Sequence, residues 1–265
     1  PWTTDPIMAT TYLTNVYREL DRGTRYLICR VLPGWPDPQV RLWNLLLYRW
    51  FNRIPTYAAL ASWHNPLNSR PGPPMLKTLR ALRRRGPVFS GAYQFTTAGR
   101  RIDKIRLYVD WLVQVHQGLG EFWPVLQSAP GLQTAHAVFK RLPGVGGFIA
   151  YELAIDACYD VPPVGRLLPF SENDWTHVGP GARRGLALLW PEALSPPQAM
   201  DRVEDLRRTQ DDGFKRAGVT LHGPPLTLRN VEHSLCEFAK YTRARMTGRA
   251  KRRYIAQPGA VRDAE

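Results

Sequence analysis

Cysteine is scarce in this chain, and its placement points to no staple. Cys29, Cys158 and Cys236 lie far apart and none stands in a CxxC or Cys/His ligand spacing, which argues against a disulfide scaffold or a zinc site. Long apolar runs are missing as well. No stretch approaches the length that spans a bilayer, and the opening PWTTDPIMATTY has neither the basic nor the apolar region of a signal peptide. A cytoplasmic protein with no membrane partner is expected, and Pro1 in place of Met reads as a processed or trimmed start. Acidic residues are few: 22 Asp and Glu face 36 Lys and Arg, for a net charge of +14 and a pI of about 10.1. That balance suits a polyanion and says nothing about fold; a basic protein without such a partner is the plainer reading. HExxH, GxSxG and GxxxxGK(S/T) are all absent. Zinc protease, serine hydrolase and P-loop kinase lose their main support, and no cofactor is implied.

What is present is helical periodicity. At 265 residues the chain can bury a substantial core, as one domain or two closely packed lobes. Val40, Trp43, Leu46, Leu47, Trp50 and Ile54 recur at three and four residues, so one face of a helix should be buried there. Tyr12 to Arg30 reads as a helix ended by Pro33-Gly34, Ile102 to Val115 as another, and Leu76 to Leu82 as a short one leading into Arg83-Arg84-Arg85. Phe89 to Phe95 reads as a turn, since nothing else supplies partner strands. Helices are also expected at 133–141, 148–159, 182–190 and 198–208, followed by a loop containing Gly213, Gly218 and Gly223. A last helix runs from the N-cap Thr227 to Met246, with Val231, Leu235, Phe238 and Tyr241 on its buried side and Gly248 closing it. The expectation is an all-α protein, a single domain over 1–265 built as two closely packed helical lobes. Its basic tail, 249–265, is either a solvated end or a phosphate-contacting arm.

One stretch is more pointed. In LPGVGGFIA, Leu142 to Ala150, the pairs Pro143-Gly144 and Gly146-Gly147 allow a sharp turn and a close backbone approach, and the helix that follows offers free amides to a phosphate. In residue type and order it resembles the helix-hairpin-helix element of the DNA glycosylase superfamily, placed at about 133–160. The resemblance implies that Gly144, Val145, Gly146 and Gly147 grip a DNA backbone. Phe148 stands where glycosylases with a lysine nucleophile carry that lysine, so a Schiff-base mechanism has no nucleophile.

Several polar groupings could carry chemistry. Asp174, in Asn173-Asp174-Trp175-Thr176-His177, resembles the superfamily's catalytic aspartate, a few residues late; it is a general base or a helix cap. Arg183 and Arg184 follow Gly179-Pro180-Gly181 in a first helical turn, where cations oppose the dipole unless an anion offsets them. Glu152 and Asp156 share a face and either point to water or meet a cation. Asn15, Arg18 and Arg22, with Asp21 between them, form a polar stripe that is either a salt-bridged surface or one wall of a site. Glu232, His233, Glu237, Lys240 and Tyr241 form another.

Six ordered segments resemble one family across most of the chain. TNVYRELDRGTR at 14–25, LYRWFNRIPTY at 47–57, SGAYQF at 90–95, LPGVGGFIAYELAIDACYD at 142–160, DWTHVGPGARRGL at 174–186 and VEHSLCEFAKYTR at 231–243 are similar to the phage amino acid:DNA transferases and alpha-glutamyl/putrescinyl thymine pyrophosphorylases. That family includes the helical domain attached to hydroxymethyluracil DNA kinases. The resemblance implies a glycosylase-like helical fold, acting in the host cytoplasm on double-stranded phage DNA whose thymine-derived base carries an activated hydroxymethyl group. A free amino acid, glycine first and serine second, or a polyamine would displace phosphate or pyrophosphate after a separate DNA base kinase has acted upstream. The implied roles are base for Asp174, with His177 or Glu152 as alternates; phosphate side for Arg18, Arg22, Arg183 and Arg184; and substrate contacts for Asn15, Asp21, Glu237 and Lys240. The base would be flipped out of the duplex to reach an enclosed site.

Overall fold

The computed structural model describes residues 3–91, 95, 102–250 and 253. Among them the regular elements are helices: α1 (Pro6–Thr10), α2 (Arg22–Tyr26), α3 (Pro38–Phe51), α4 (Ile54–Ala59), α5 (Pro73–Arg85), α6 (Lys104–Gln127), α7 (Leu132–Phe139), α8 (Gly147–Asp156), α9 (Pro180–Leu189), α10 (Pro196–Arg208), α11 (Gln210–Ala217) and α12 (Leu228–Thr247). The β pairing among the described residues is an isolated antiparallel bridge between Thr11 and Arg253. The all-α expectation holds. The chain divides into two compact units, Arg22–Ser171 and a second made of Pro1–Asp21 with Glu172–Glu265.

The central helix of the 22–171 unit is α3, started by Asp37, whose carboxylate accepts from the Val40 amide at 2.9 Å. One buried face was expected; the structure buries the helix nearly all round, Arg41, Asn44 and Arg49 included. Enclosing polar groups this way is costly unless they are paired inside. Asn44 donates to the carbonyls of Val40 and His64 at 2.8 and 2.7 Å and accepts from the Tyr57 hydroxyl at 2.7 Å, while Arg41 donates to the Val164 carbonyl at 2.6 Å. Asn52 ends α3 in the left-handed region, φ 45°, a conformation that Asn tolerates better than most residues.

In the other unit α9 crosses α12 with almost no gap. A Cβ on Gly181 would collide with Cys236 Sγ, and one on Gly185 with the Leu235 carbonyl oxygen. Ala182, Leu186, Ala199, Val203, Leu226, Leu228, Val231 and Leu235 form the core around that crossing. Capping boxes fix the starts of two helices: Ser195 with Gln198 for α10 and Thr227 with Asn230 for α12, the latter closed by Gly248 at φ 65° as the sequence predicts.

Three local expectations are corrected. Tyr12–Arg30 is not one helix: 12–17 is irregular, a 3-10 turn covers Arg18–Leu20, and α2 starts only after an extended Asp21. The side chains there bond elsewhere instead of supporting a helix; Tyr17 donates to the Pro224 carbonyl at 2.6 Å and Asn15 to Asp21 at 2.8 Å. The loop expected around Gly213 contains α11, whose first turn carries Asp211 and Asp212, whose last carries Lys215 and Arg216, and which Gly218 caps at φ 63°. Charges matched to the helix dipole outweigh one internal glycine. Phe238, assigned to the buried side of α12, is 39% exposed, and Glu237 takes the inward position. Of Phe89–Phe95, residues 92–94 lie outside the described residues, and 89–91 are not strand.

Candidate functional site

In the 22–171 unit the glycine hairpin joins α7 to α8. Gly144 adopts φ 73°, and a Cβ there would sit 2.5 Å from the Trp111 ring of α6, so no other residue fits between hairpin and indole. Val145 is buried and anchors the turn, while Gly146 is exposed and caps α8 without a side-chain bond. Backbone amides at the start of α8 are therefore bordered by nothing larger than hydrogen at position 146. Gly147 is the first residue of α8, and its carbonyl lies 2.9 Å from His136 Nε2. Burial pushes the His136 imidazole below its ordinary pKa, against the pull of that carbonyl. Phe148, beside the amides, is 52% exposed.

The same unit encloses an ion pair. Arg49 of α3 grips Asp156, the last residue of α8, through Nε at 2.6 Å and Nη2 at 2.8 Å, with both side chains 1% exposed. Its remaining donors reach Thr24 Oγ1 at 3.1 Å and Asn52 Oδ1 at 2.8 Å. The Asn52 amide then meets Ser90 Oγ at 3.3 Å, and the Ser90 amide bonds the Phe51 carbonyl at 3.0 Å. Tyr48 donates to the Gly23 carbonyl at 3.0 Å; burial foremost lifts its phenol to about 12. Glu152, one turn before Asp156, is 3% exposed. Of the two environments open to Glu152 and Asp156, water is excluded for both, and for Asp156 the cation is Arg49. Arg22 is exposed at the start of α2.

Sequence reasoning assigned no role to Arg49, Asn52, Thr24 or Ser90. The signal was available: Arg49 interrupts the apolar face of Trp43, Leu46, Leu47 and Trp50, and a guanidinium on such a face needs a carboxylate.

In the other unit, Arg18 is 7% exposed and pairs with Asp21, which also accepts from Asn15. Arg18 and Arg22 therefore do not share a helical face as predicted, because the extended Asp21 separates them. Beside Asn15, Thr14 approaches α12: its amide donates to Glu237 Oε2 at 3.3 Å and its hydroxyl lies 2.5 Å from His233 Nε2. Lys240 donates to Glu237 Oε1 at 2.5 Å, and His233 Nε2 lies 3.7 Å from the same oxygen. The structure thus gathers Asn15, Arg18 and Asp21 into one turn, next to the Glu237–Lys240 pair.

Asp174 and His177 lie on the connector into α9, Asp174 exposed and His177 half-buried. Their neighbours hold the scaffold: Asn173 Oδ1 accepts from the Leu228 amide at 3.0 Å, Glu172 Oε2 from the Thr227 hydroxyl at 3.1 Å, and Glu232 Oε1 from the Gly179 amide at 3.3 Å. Arg183 donates to the Leu194 carbonyl at 3.3 Å, and Arg184 is exposed. Gly181 and Gly185 are spent on the α9–α12 crossing, so the glycines around these arginines serve packing. No group of three or more His, Cys, Asp or Glu that could hold a metal ion occurs among the described residues, and none of their helices is long and apolar enough to cross a membrane.

Residues 1–250 match the family described as "5-hmdU DNA kinase, helical domain". A 5-hmdU DNA kinase of Bacillus phage SP10 is 28% identical over 266 residues, covering 91% of this chain and 40% of that protein. The chain thus spans well under half the length of that relative, and no solved structure matches it. By that match over nearly its whole length, the chain belongs to the helical-domain family of the 5-hmdU DNA kinases.

Proposed function

We propose that this protein is an amino acid:DNA transferase in phage thymidine hypermodification. It attaches an amine, glycine first, to a 5-(phospho- or pyrophospho)oxymethyl-deoxyuridine in double-stranded DNA. The observation that carries the reading is the match over residues 1–250 to a helical domain of enzymes named for this base, in a chain whose sequence has no phosphate-binding P-loop. In the reaction the amine nitrogen bonds to the exocyclic carbon and the carbon–oxygen bond to the leaving group breaks. The electron pair leaves with phosphate or pyrophosphate, and the amine's proton passes to a carboxylate or imidazole.

Roles follow from side-chain chemistry. Asp174, exposed before α9, is the base, with His177 three residues on as its alternate. Arg18, Arg183 and Arg184 balance charge developing on the leaving group, and Asn15, Asp21, Glu237 and Lys240 shape a substrate surface in the same unit. In the 22–171 unit Glu152 is the alternate base and Arg22 a phosphate contact, while Gly144, Val145, Gly146 and Gly147 hold a DNA backbone phosphate. No cofactor enters, and activation falls to a separate base kinase.

The second reading, phosphorylation of 5-hmdU in DNA, is favoured by the relative's name. One experiment separates them: the protein is incubated with DNA bearing the activated base and labelled glycine, and in parallel with 5-hmdU DNA and labelled ATP, and both are digested to nucleosides. Label from glycine on the nucleoside, with release of phosphate or pyrophosphate, is expected. Label only from ATP would replace the transferase by a kinase. Abasic sites and free base would point to a monofunctional glycosylase, and no change in either arm to a non-catalytic DNA-binding module.

A further inference from the structure

Helix α5 is the most one-sided charged element among the described residues. Its thirteen residues, PPMLKTLRALRRR, carry Lys77, Arg80, Arg83, Arg84 and Arg85 and no acid. Met75 and Leu79 are buried while all five cations are exposed. Lys77, Arg80 and Arg84 recur at three and four residues, so they share a face, and Arg83, three residues after Arg80, borders it. Arg80 pairs with Asp103, the N-cap of α6, at 2.6 Å. Helix dipole can account for cations in the last turn, Arg83 to Arg85. It does not account for Lys77, which lies in the N-terminal half, and the charges along the stripe repel one another.

The neighbours of α5 place this stripe within reach of what has been described. After Arg85 the chain is pinned to α4 and to the end of α3: the Val88 carbonyl accepts from Thr56 Oγ1 at 2.7 Å, and Ser90 meets Phe51 and Asn52. From Asp103, α6 runs on to Trp111, the ring against which Gly144 of the hairpin is packed. That interval is about 12 Å at helical rise. The stripe itself, Lys77 to Arg84, is about 10 Å long, matching roughly three phosphate-to-phosphate steps of one strand at about 3.4 Å each along the duplex axis.

We propose that the exposed face of α5 is a second DNA-backbone contact, in which Lys77, Arg83 and Arg84 each neutralise a phosphate while the hairpin holds another. The proposal rests on the reading that the substrate is DNA. It predicts affinity without sequence preference, because only phosphates are touched.

The test is the salt dependence of binding to a short labelled, unmodified duplex between about 50 and 200 mM salt. With Lys77→Ala, Arg83→Ala and Arg84→Ala combined, the log–log slope should shrink by about 2–3 and affinity should fall at least about tenfold. Arg83→Lys with Arg84→Lys should keep the slope. Arg207→Ala with Arg208→Ala, which removes two charges from α10 where Glu204 and Asp205 pair with them at 2.6 and 2.7 Å, should leave it unchanged. An unchanged slope in the triple variant, with wild-type binding intact, would overturn the α5 contact and spare the DNA reading. Equal loss in the lysine variant would mark a structural effect and also overturn it. Failure of the wild-type protein to bind DNA would overturn both.

Discussion

The Arg49–Asp156 pair and the charges around Asp174 sit in opposite surroundings. In the 22–171 unit the central ion pair, Arg49–Asp156, is 1% exposed on both sides and bidentate, so its groups have no freedom left. In the other unit Asp174 and Arg184 are exposed and Lys240, paired with Glu237, is 44% exposed. A buried pair that loses one member leaves an uncompensated charge in a poor solvent. An exposed group loses little stability on substitution. Where a charge sits therefore separates a group locked in the scaffold from one at the surface more sharply than its residue type does.

The strongest test of that contrast sets two aspartates against each other. Asp174→Asn should lower glycine transfer by about 10²–10⁴-fold while leaving the melting transition in place. Asp156→Ala should cost about 3–5 kcal/mol of stability, whereas replacing Arg49 and Asp156 together by Met and Leu should recover much of it, as read by denaturant unfolding. If Asp174→Asn unfolds the protein and Asp156→Ala does not, the contrast is wrong.

Packing gives a test of intermediate size. Gly185→Val should cost about 1–3 kcal/mol, because its Cβ meets the Leu235 backbone, which cannot move aside as a side chain could. Proton linkage gives a smaller one. Burial lowers the pKa of His64 and His136, so the unfolded chain binds protons more readily than the folded one. Their contribution is complete above about pH 6.5 and is lost as pH falls from there toward the lower folded values. The drop in melting temperature on acidification across that window should shrink in His136→Gln; an equal drop would remove the imidazole from the account. The smallest effect has the opposite sign. Gly120→Ala in α6 adds a methyl with nothing within 4 Å, and should stabilise by about 0.5–1 kcal/mol.

Much of the fold was legible in the residues. Thr227 and Gly248 mark the ends of α12 because a hydroxyl cap and a left-handed glycine are local devices. The stretch around Tyr12 was misread because its polar side chains bond partners more than two hundred residues away, such as His233 and Pro224. The candidate site was read in part. Asp174, Arg183 and the hairpin stood out by motif, while Arg49, Asn52 and Ser90 acquired meaning only once α3, α8 and the 86–91 loop met.

By itself the sequence determined that this is a basic, helical chain with a glycine hairpin and no P-loop, since charge, periodicity and turn chemistry are properties of neighbouring residues. Tertiary structure decided which glycines face open space and which separate two helices. Gly146 and Gly185 are the same residue type, yet one faces open space at the start of α8 and the other lets α9 touch α12. It also decided which carboxylate is locked and which is exposed, because burial and pairing depend on what distant segments bring alongside.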